Sequence, residues 1–202
     1  MTDIIEPLAL SKDAQDLLFR SARTANAFTD EPVTEDQVRA IHDLVKYAPT
    51  SMNIQPLRVT LLRSRESRER LVQHMAEGNQ AKTLNAPLTA ILSLDGDFHE
   101  RAGEFFPDRE EMIKGLFGSD EAMRLSTAQL NAALQIGYFI IGVRAAGLAA
   151  GPMTGFDAAA IDAEFFSGSA RKTLVVVNIG RPAGENFPRL PRLRYEDVVT
   201  EL

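Results

Sequence analysis

Apolar positions first mark out the helices. Val38, Ile41, Leu44, Val45 and Ala48 fall on one face at helical spacing. Thr34 caps that helix, Gln37 completes a capping-box pattern, and Pro49 ends it. Ser11 to Ala22 reads as a shorter helix with Ser11 as its cap, and Ser64 caps another that runs to about Ala76 and stops at Gly78. A long helix is predicted from about Asp120 to Ala146, closed by Gly147, roughly 40 Å in length. Its second half is apolar on nearly every side, with Leu134, Ile136, Phe139, Ile140, Ile141 and Val143, so it needs cover all round. Asp157 begins a short helix through Phe166.

Strands are predicted at Leu57 to Arg63, at Leu88 to Leu94 after Pro87, and at Lys172 to Ile179. The run Leu174-Val175-Val176-Val177 marks the last as a central strand covered on both faces. Between Asp95 and Gly118 the periodicity is weak, which predicts an irregular or part-helical excursion. No repeat, low-complexity tract or linker divides the chain, so 1–202 reads as one α+β domain. The tail, 181–202, carries Phe187, Leu190, Leu193, Tyr195 and Val198. It cannot bury these alone and is expected to lie on a partner subunit.

Composition removes several function classes. A net charge of −6 disfavours a nucleic-acid partner. The absence of cysteine removes thiolate catalysis and cysteine-ligated metals, and fits a reducing compartment. Met1 to Leu10 has no Lys or Arg, unlike a signal peptide. Asn131, Gln135 and Arg144 interrupt the most apolar stretch, Leu130 to Ala150, which argues against a membrane span. A cytoplasmic location is expected.

Standard catalytic constellations are missing. His42, His74 and His99 lack metal-ligand spacing, so no metal is expected, and Ser51 has no GxSxG context. The glycines form neither GxGxxG nor a Walker A loop. No catalytic acid, base or nucleophile stands out, which points to chemistry carried by a cofactor. Four polar clusters remain: Arg23 to Phe28, Ala48 to Pro56, Asn79 to Lys82, and Gly151 to Phe156, with Arg189 as a possible fifth element. Each alone is compatible with ordinary turn or surface chemistry.

Together and in this order they resemble the flavin site of the nitroreductase family, over nearly the whole chain. Pro49-Thr50-Ser51-Met52-Asn53-Ile54-Gln55-Pro56 is the most specific match. The resemblance implies a mainly antiparallel central sheet flanked by helices, with the long helix at a homodimer interface. It implies FMN as cofactor, with Arg23, Thr24 and Asn26 at the phosphate and the pyrimidine edge. Pro49, Thr50, Ser51 and Asn53 would come from the other subunit. Asn79 and Lys82 would lie close to the flavin. Pro152, Met153, Thr154 and Gly155 would form a turn whose Thr154 and Gly155 N–H groups face flavin N5 and O4, and Arg189 would reach the phosphate. Two departures stand out: Asn26 replaces a usual Arg or Lys, and Phe187 stands where some members have a phosphate-binding Lys.

A narrower resemblance rests on Ala48-Pro49-Thr50-Ser51, Lys82 to Pro87, Gly151 to Asp157 and Arg189 to Leu193. These strings are similar to the malonic semialdehyde reductase branch of the Rut uracil-degradation pathway. That likeness implies ping-pong hydride transfer from NADH or NADPH through FMN to the aldehyde, giving 3-hydroxypropionate. Arg101, Arg109 and Arg124 are candidates to anchor its carboxylate. The alternatives are a nitroaromatic, quinone or enal acceptor, a non-catalytic flavin-binding protein, or an α+β interaction module without cofactor.

Overall fold

In the computed structural model, residues 8–184 and 187–202 are described. Most of the expectation about Met1 to Leu10 falls outside them, as do two positions of the tail. The helix starts follow the capping chemistry. The Thr34 hydroxyl accepts from the Gln37 N–H at 3.1 Å, while the Gln37 side chain accepts from the Thr34 N–H at 2.9 Å. Ser11, Ser64, Asp120 and Asp157 cap their helices through the N-cap side chain alone, which accepts from a backbone N–H of the first turn.

The first helix, α1 (Lys12–Gln15), widens into a π-helical turn over Asp16–Arg20. Then come α2 (Glu35–Val45), β1 (Leu57–Leu62), α3 (Arg65–Val72), α4 (Glu77–Leu84) and β2 (Leu88–Asp95). The excursion is part-helical, with α5 (Ala102–Phe105) and α6 (Glu110–Ser119). It is followed by α7 (Glu121–Ala145), β3 (Ala149–Met153), α8 (Ala158–Phe165), β4 (Arg171–Gly180) and α9 (Tyr195–Val198).

The strands form one antiparallel sheet in the order β1-β2-β4-β3. Strand β4 is internal, as its Val-rich run requires, and residues 176–180 are buried. On β2, Leu88, Ala90 and Leu92 point to the face covered by α2 and α7, where they meet Ile41, Ile136, Phe139 and Val143. Ile91 points to the opposite face and packs with Leu71, Ile161 and Phe166 of the α3 and α8 layer. The excursion closes a third cluster, in which Phe98, Ile113 and Phe117 pack on Ala128 and Ala132 of α7.

Three features differ from the sequence expectation. Gly78 does not stop a helix but lies in the first turn of α4, and α3 has already ended at Val72. Gly151 and Pro152, expected in a turn, belong to β3. Because β3 is an edge strand, a residue without an N–H is tolerated there. The long helix is buried on part of its circumference only. Ile136, Phe139 and Val143 are buried, whereas Leu130, Leu134 and Tyr138 form an exposed row at helical i, i+4 spacing. Among the described residues, no helix is long and apolar enough to cross a membrane.

Helices α2 and α7 cross closely at Gly142, where a Cβ would collide with the Val45 side chain and press on Ile41. Gly142→Val should therefore overpack the crossing and destabilise the fold by roughly 1–3 kcal/mol. Scanning calorimetry should show a lowered midpoint. An unchanged midpoint would contradict the close crossing.

Candidate functional site

Polar residues of α7 hold the segments on which the expected site residues lie. Asn131 is buried, accepts the Ser51 N–H at 2.7 Å and donates to the Thr127 carbonyl at 2.8 Å. Gln135 accepts the Leu57 N–H at 2.9 Å. These two bonds bracket the loop that carries Pro49, Thr50, Ser51 and Asn53. Inside it, Met52, Asn53 and Gln55 have positive φ of 50°, 56° and 42°. A left-handed non-glycine residue costs of order 1–3 kcal/mol, so three in one loop require this external bracing. The Asn53 side chain donates to the Phe105 carbonyl at 3.0 Å, and Gln55 donates to the Asn53 side chain at 3.0 Å.

A second group assembles at the β3 edge. Gly151 lets the Arg23–Phe28 segment approach β3, since a Cβ there would stand 2.6 Å from the Ala25 carbonyl oxygen. The Ala25 N–H reaches the Ala150 carbonyl at 3.4 Å. This leaves Thr24 and Asn26 exposed beside β3. Just past β3, the Gly155 carbonyl accepts from the Ala76 N–H and from the Asn79 side chain, both at 3.0 Å. A Cβ at Gly155 would lie 2.8 Å from that Asn79 nitrogen, so a larger residue there would displace the Asn79 amide. Among the described residues, the Thr154 and Gly155 N–H groups have no protein acceptor. Beneath them a buried polar chain runs from Thr89 through Asn178 to Thr83, with links of 2.9 and 3.1 Å. It ties α4, and with it Asn79 and Lys82, to the sheet.

At the adjoining corner, guanidinium groups gather on the end of the first helix. Arg23 donates to the Arg20 and Ala22 carbonyls, each at 3.0 Å. Arg189 donates to the same two, at 2.6 and 3.0 Å, and to the Phe19 carbonyl at 3.3 Å. Arg144, in the last turn of α7, donates to the Leu18 carbonyl at 3.2 Å. Burial, and then the nearby Arg189 charge, push the Arg144 guanidinium below its ordinary pKa. Among the described residues, none of these three arginines nor Lys82 pairs with a carboxylate. A cationic corner, two backbone N–H donors and an Asn–Lys helix face suit a planar heterocycle with an anionic arm.

The chain brings together Arg23, Thr24, Asn26, Asn79, Lys82, Pro152, Met153, Thr154, Gly155 and Arg189. It does not bring Pro49, Thr50, Ser51 and Asn53 to them. That loop leads into β1, the opposite edge of the sheet from β3. About 20 Å of helix separates Asn131, which holds it, from Arg144 at the cationic corner. Of the suggested carboxylate anchors, Arg124 is committed to the Gly96 and Phe117 carbonyls, both at 2.9 Å, and Arg101 to Glu104 at 2.6 Å. The positioning roles of Asn131 and Gln135 and the place of Arg144 were not assigned from sequence. The available signal was their polarity inside an apolar helix.

A family model described as the nitroreductase family matches residues 19–181. A protein of Streptomyces griseus, named as a candidate NADH dehydrogenase/NAD(P)H nitroreductase, is 60% identical over 194 residues, covering 96% of this chain and 98% of that protein. The solved structure of a candidate nitroreductase from Bacillus subtilis superposes with a TM-score of 0.82 at 21% identity, covering 92% of this chain and 97% of the other. Another, from Exiguobacterium sibiricum and described in complex with FMN, has a TM-score of 0.80 at 18% identity, covering 94% and 97%.

Asn131→Ala would leave the Ser51 N–H without its acceptor and release one brace of a strained loop. A loss of about 1–3 kcal/mol in the local stability of the loop is expected. Hydrogen exchange should accelerate over residues 50–55 while β4 is unchanged. Unaltered exchange in the loop would show that Asn131 does not hold it.

Proposed function

The chain belongs to the nitroreductase family, and from that premise we propose that it is an FMN-dependent NAD(P)H oxidoreductase with sites shared between two identical subunits. The observation that carries the flavin reading is the pair of N–H donors at Thr154 and Gly155, beside a corner of guanidinium groups; among the described residues the donors have no protein acceptor and the guanidinium groups no carboxylate. Bound FMN would supply the hydride chemistry, accepting hydride from NADH or NADPH and passing it to the acceptor.

The protein's own groups would bind and orient. Arg23 and Arg189 fit a phosphate, which guanidinium groups grip by charge-assisted hydrogen bonds. Thr24 and Asn26 lie exposed next to β3, within the segment that Gly151 admits. Asn26 offers an amide there but no charge, which leaves Lys82 as the cation of the Asn79 face. Lys82 would stabilise negative charge on the ring and raise its reduction potential. FMN rather than FAD fits the single phosphate corner and the lack of a dinucleotide fingerprint.

The shared-site reading is supported by what one chain leaves uncovered. Leu130, Leu134 and Tyr138 of α7 are exposed, as are Phe187, Leu190, Leu193, Tyr195 and Val198 of the tail. Burying a large apolar side chain yields roughly 1.5–3 kcal/mol, so such a surface favours a second copy. A two-fold axis would bring Thr50, Ser51 and Asn53 of one subunit to the corner of the other, twice per dimer. The tail, 181–202, would then pack on the partner.

For the acceptor we propose malonic semialdehyde, reduced to 3-hydroxypropionate. The reading rests on the strings Lys82 to Pro87, Gly151 to Asp157 and Arg189 to Leu193. The naming of the Streptomyces griseus relative favours a nitroaromatic acceptor instead. Anaerobic turnover with the aldehyde and with a nitroaromatic, quinone and enal panel separates the two. The aldehyde should give the highest kcat/KM, and a nitroaromatic exceeding it would overturn the assignment.

Site sharing has its own test. Arg23→Ala and Asn53→Ala chains should each bind FMN poorly alone. Mixed heterodimers contain one intact and one doubly damaged site, so flavin binding and activity should return. No recovery in demonstrated heterodimers would refute a shared site.

A further inference from the structure

The arginine corner holds more positive charge than the family resemblance assigns to it. Residues 18–22, at the C-terminal end of the first helix, present carbonyl oxygens to Arg144, Arg189 and Arg23 in turn. Helix C-termini favour cations, which explains one such contact. It does not explain three guanidinium groups crowded onto five residues with no carboxylate, among the described residues, paired to any of them. The nearest acid on this helix, Asp16, faces Arg20 at 3.6 Å. Each guanidinium has five N–H donors, and Arg23 and Arg144 each show hydrogen bonds from a single nitrogen. The carbonyls orient the groups and leave donors over. The Arg189 charge acts against that of Arg144, and among the described residues no carboxylate pairs with either.

Arg144 is the distinctive member. It projects from the last turn of the same helix that braces the Thr50–Gln55 loop through Asn131 and Gln135, and it is only partly exposed. The last turn of a helix suits a cation, and the stem lies along apolar surface while the head reaches the Leu18 carbonyl at 3.2 Å.

We propose that Arg144 is the third jaw of a phosphate clamp with Arg23 and Arg189, and that the clamp takes the terminal phosphate of FMN. The proposal rests on the flavin reading above and adds to it the residue that ties the phosphate to the core helix. Because Asn26 and Phe187 stand where the family's usual Arg or Lys is absent, Arg144 also supplies the charge those positions lack.

Riboflavin, which has the same ring system without the phosphate, makes the test specific. Apo protein is titrated with FMN and with riboflavin for the wild type, Arg144→Met and Arg144→Lys. Arg144→Met should weaken FMN binding about tenfold or more, with Arg144→Lys intermediate, and riboflavin affinity should stay constant across all three. A purely structural arginine would instead lower both affinities together, and that result overturns the proposal, as does an unchanged FMN affinity. The thermal midpoint of the apo protein in inorganic phosphate separates the two layers of inference. Phosphate should raise it for the wild type and not for Arg144→Met. That pattern without any flavin binding would leave the clamp standing and remove the flavin. Equal stabilisation of both proteins would remove Arg144 from the clamp.

Discussion

Everything at the site depends on a helix that carries polar side chains through an apolar core. Burying an unsatisfied amide or guanidinium is costly, so the polar groups of α7 that are drawn wholly or partly into the core need fixed partners. Asn131 and Gln135 find it in the loop before β1, and Arg144 finds it at the end of the first helix. The same requirement that stabilises the helix therefore fixes two remote segments relative to one another. Between them, Gly142 lets α2 lie against the helix, and Phe139 and Val143 seal it to the sheet.

Around this beam, backbone strain and charge are stored at separate places. The Thr50–Gln55 loop holds three left-handed non-glycine residues, which the braces from α7 make tolerable. The corner at residues 18–22 holds three guanidinium groups that, among the described residues, pair with no carboxylate. Between these lie the unused donors of Thr154 and Gly155 and the anchored Asn79. Strain, uncompensated charge and idle donors are features that a self-contained fold would remove. Their coexistence makes most sense where a ligand and a second subunit complete them.

Much of this was legible in the sequence because its causes are local. Thr34 with Gln37, and Asp120 and Asp157, mark helix starts through contacts within one turn. The Val-rich run of β4 marks an internal strand through its own hydrophobicity. What escaped notice depends on tertiary partners. Strand β3 contains Gly151 and Pro152, which read as a turn, and only pairing with β4 makes them a strand. Gly78 reads as a helix stop, yet α4 forms through it because Thr83 and its neighbours dock on the sheet. The candidate residues themselves came from ordered motifs, and the family resemblance already set the Pro49–Asn53 loop apart from the rest; the three-dimensional fold adds that this loop leads into β1, the edge opposite β3. Asn131, Gln135 and Arg144 stood out as polar interruptions, while their partners, far away along the chain, could not be read from spacing.

The central claim is that one flavin joins two surfaces that a single chain keeps apart. Hydrogen exchange with and without FMN reads this directly, peptide by peptide. The account predicts slowed exchange on binding at residues 23–26 and 154–155, and equally at residues 50–53. Protection confined to the β3 side, with the Thr50–Asn53 loop unchanged at saturating FMN, would contradict it.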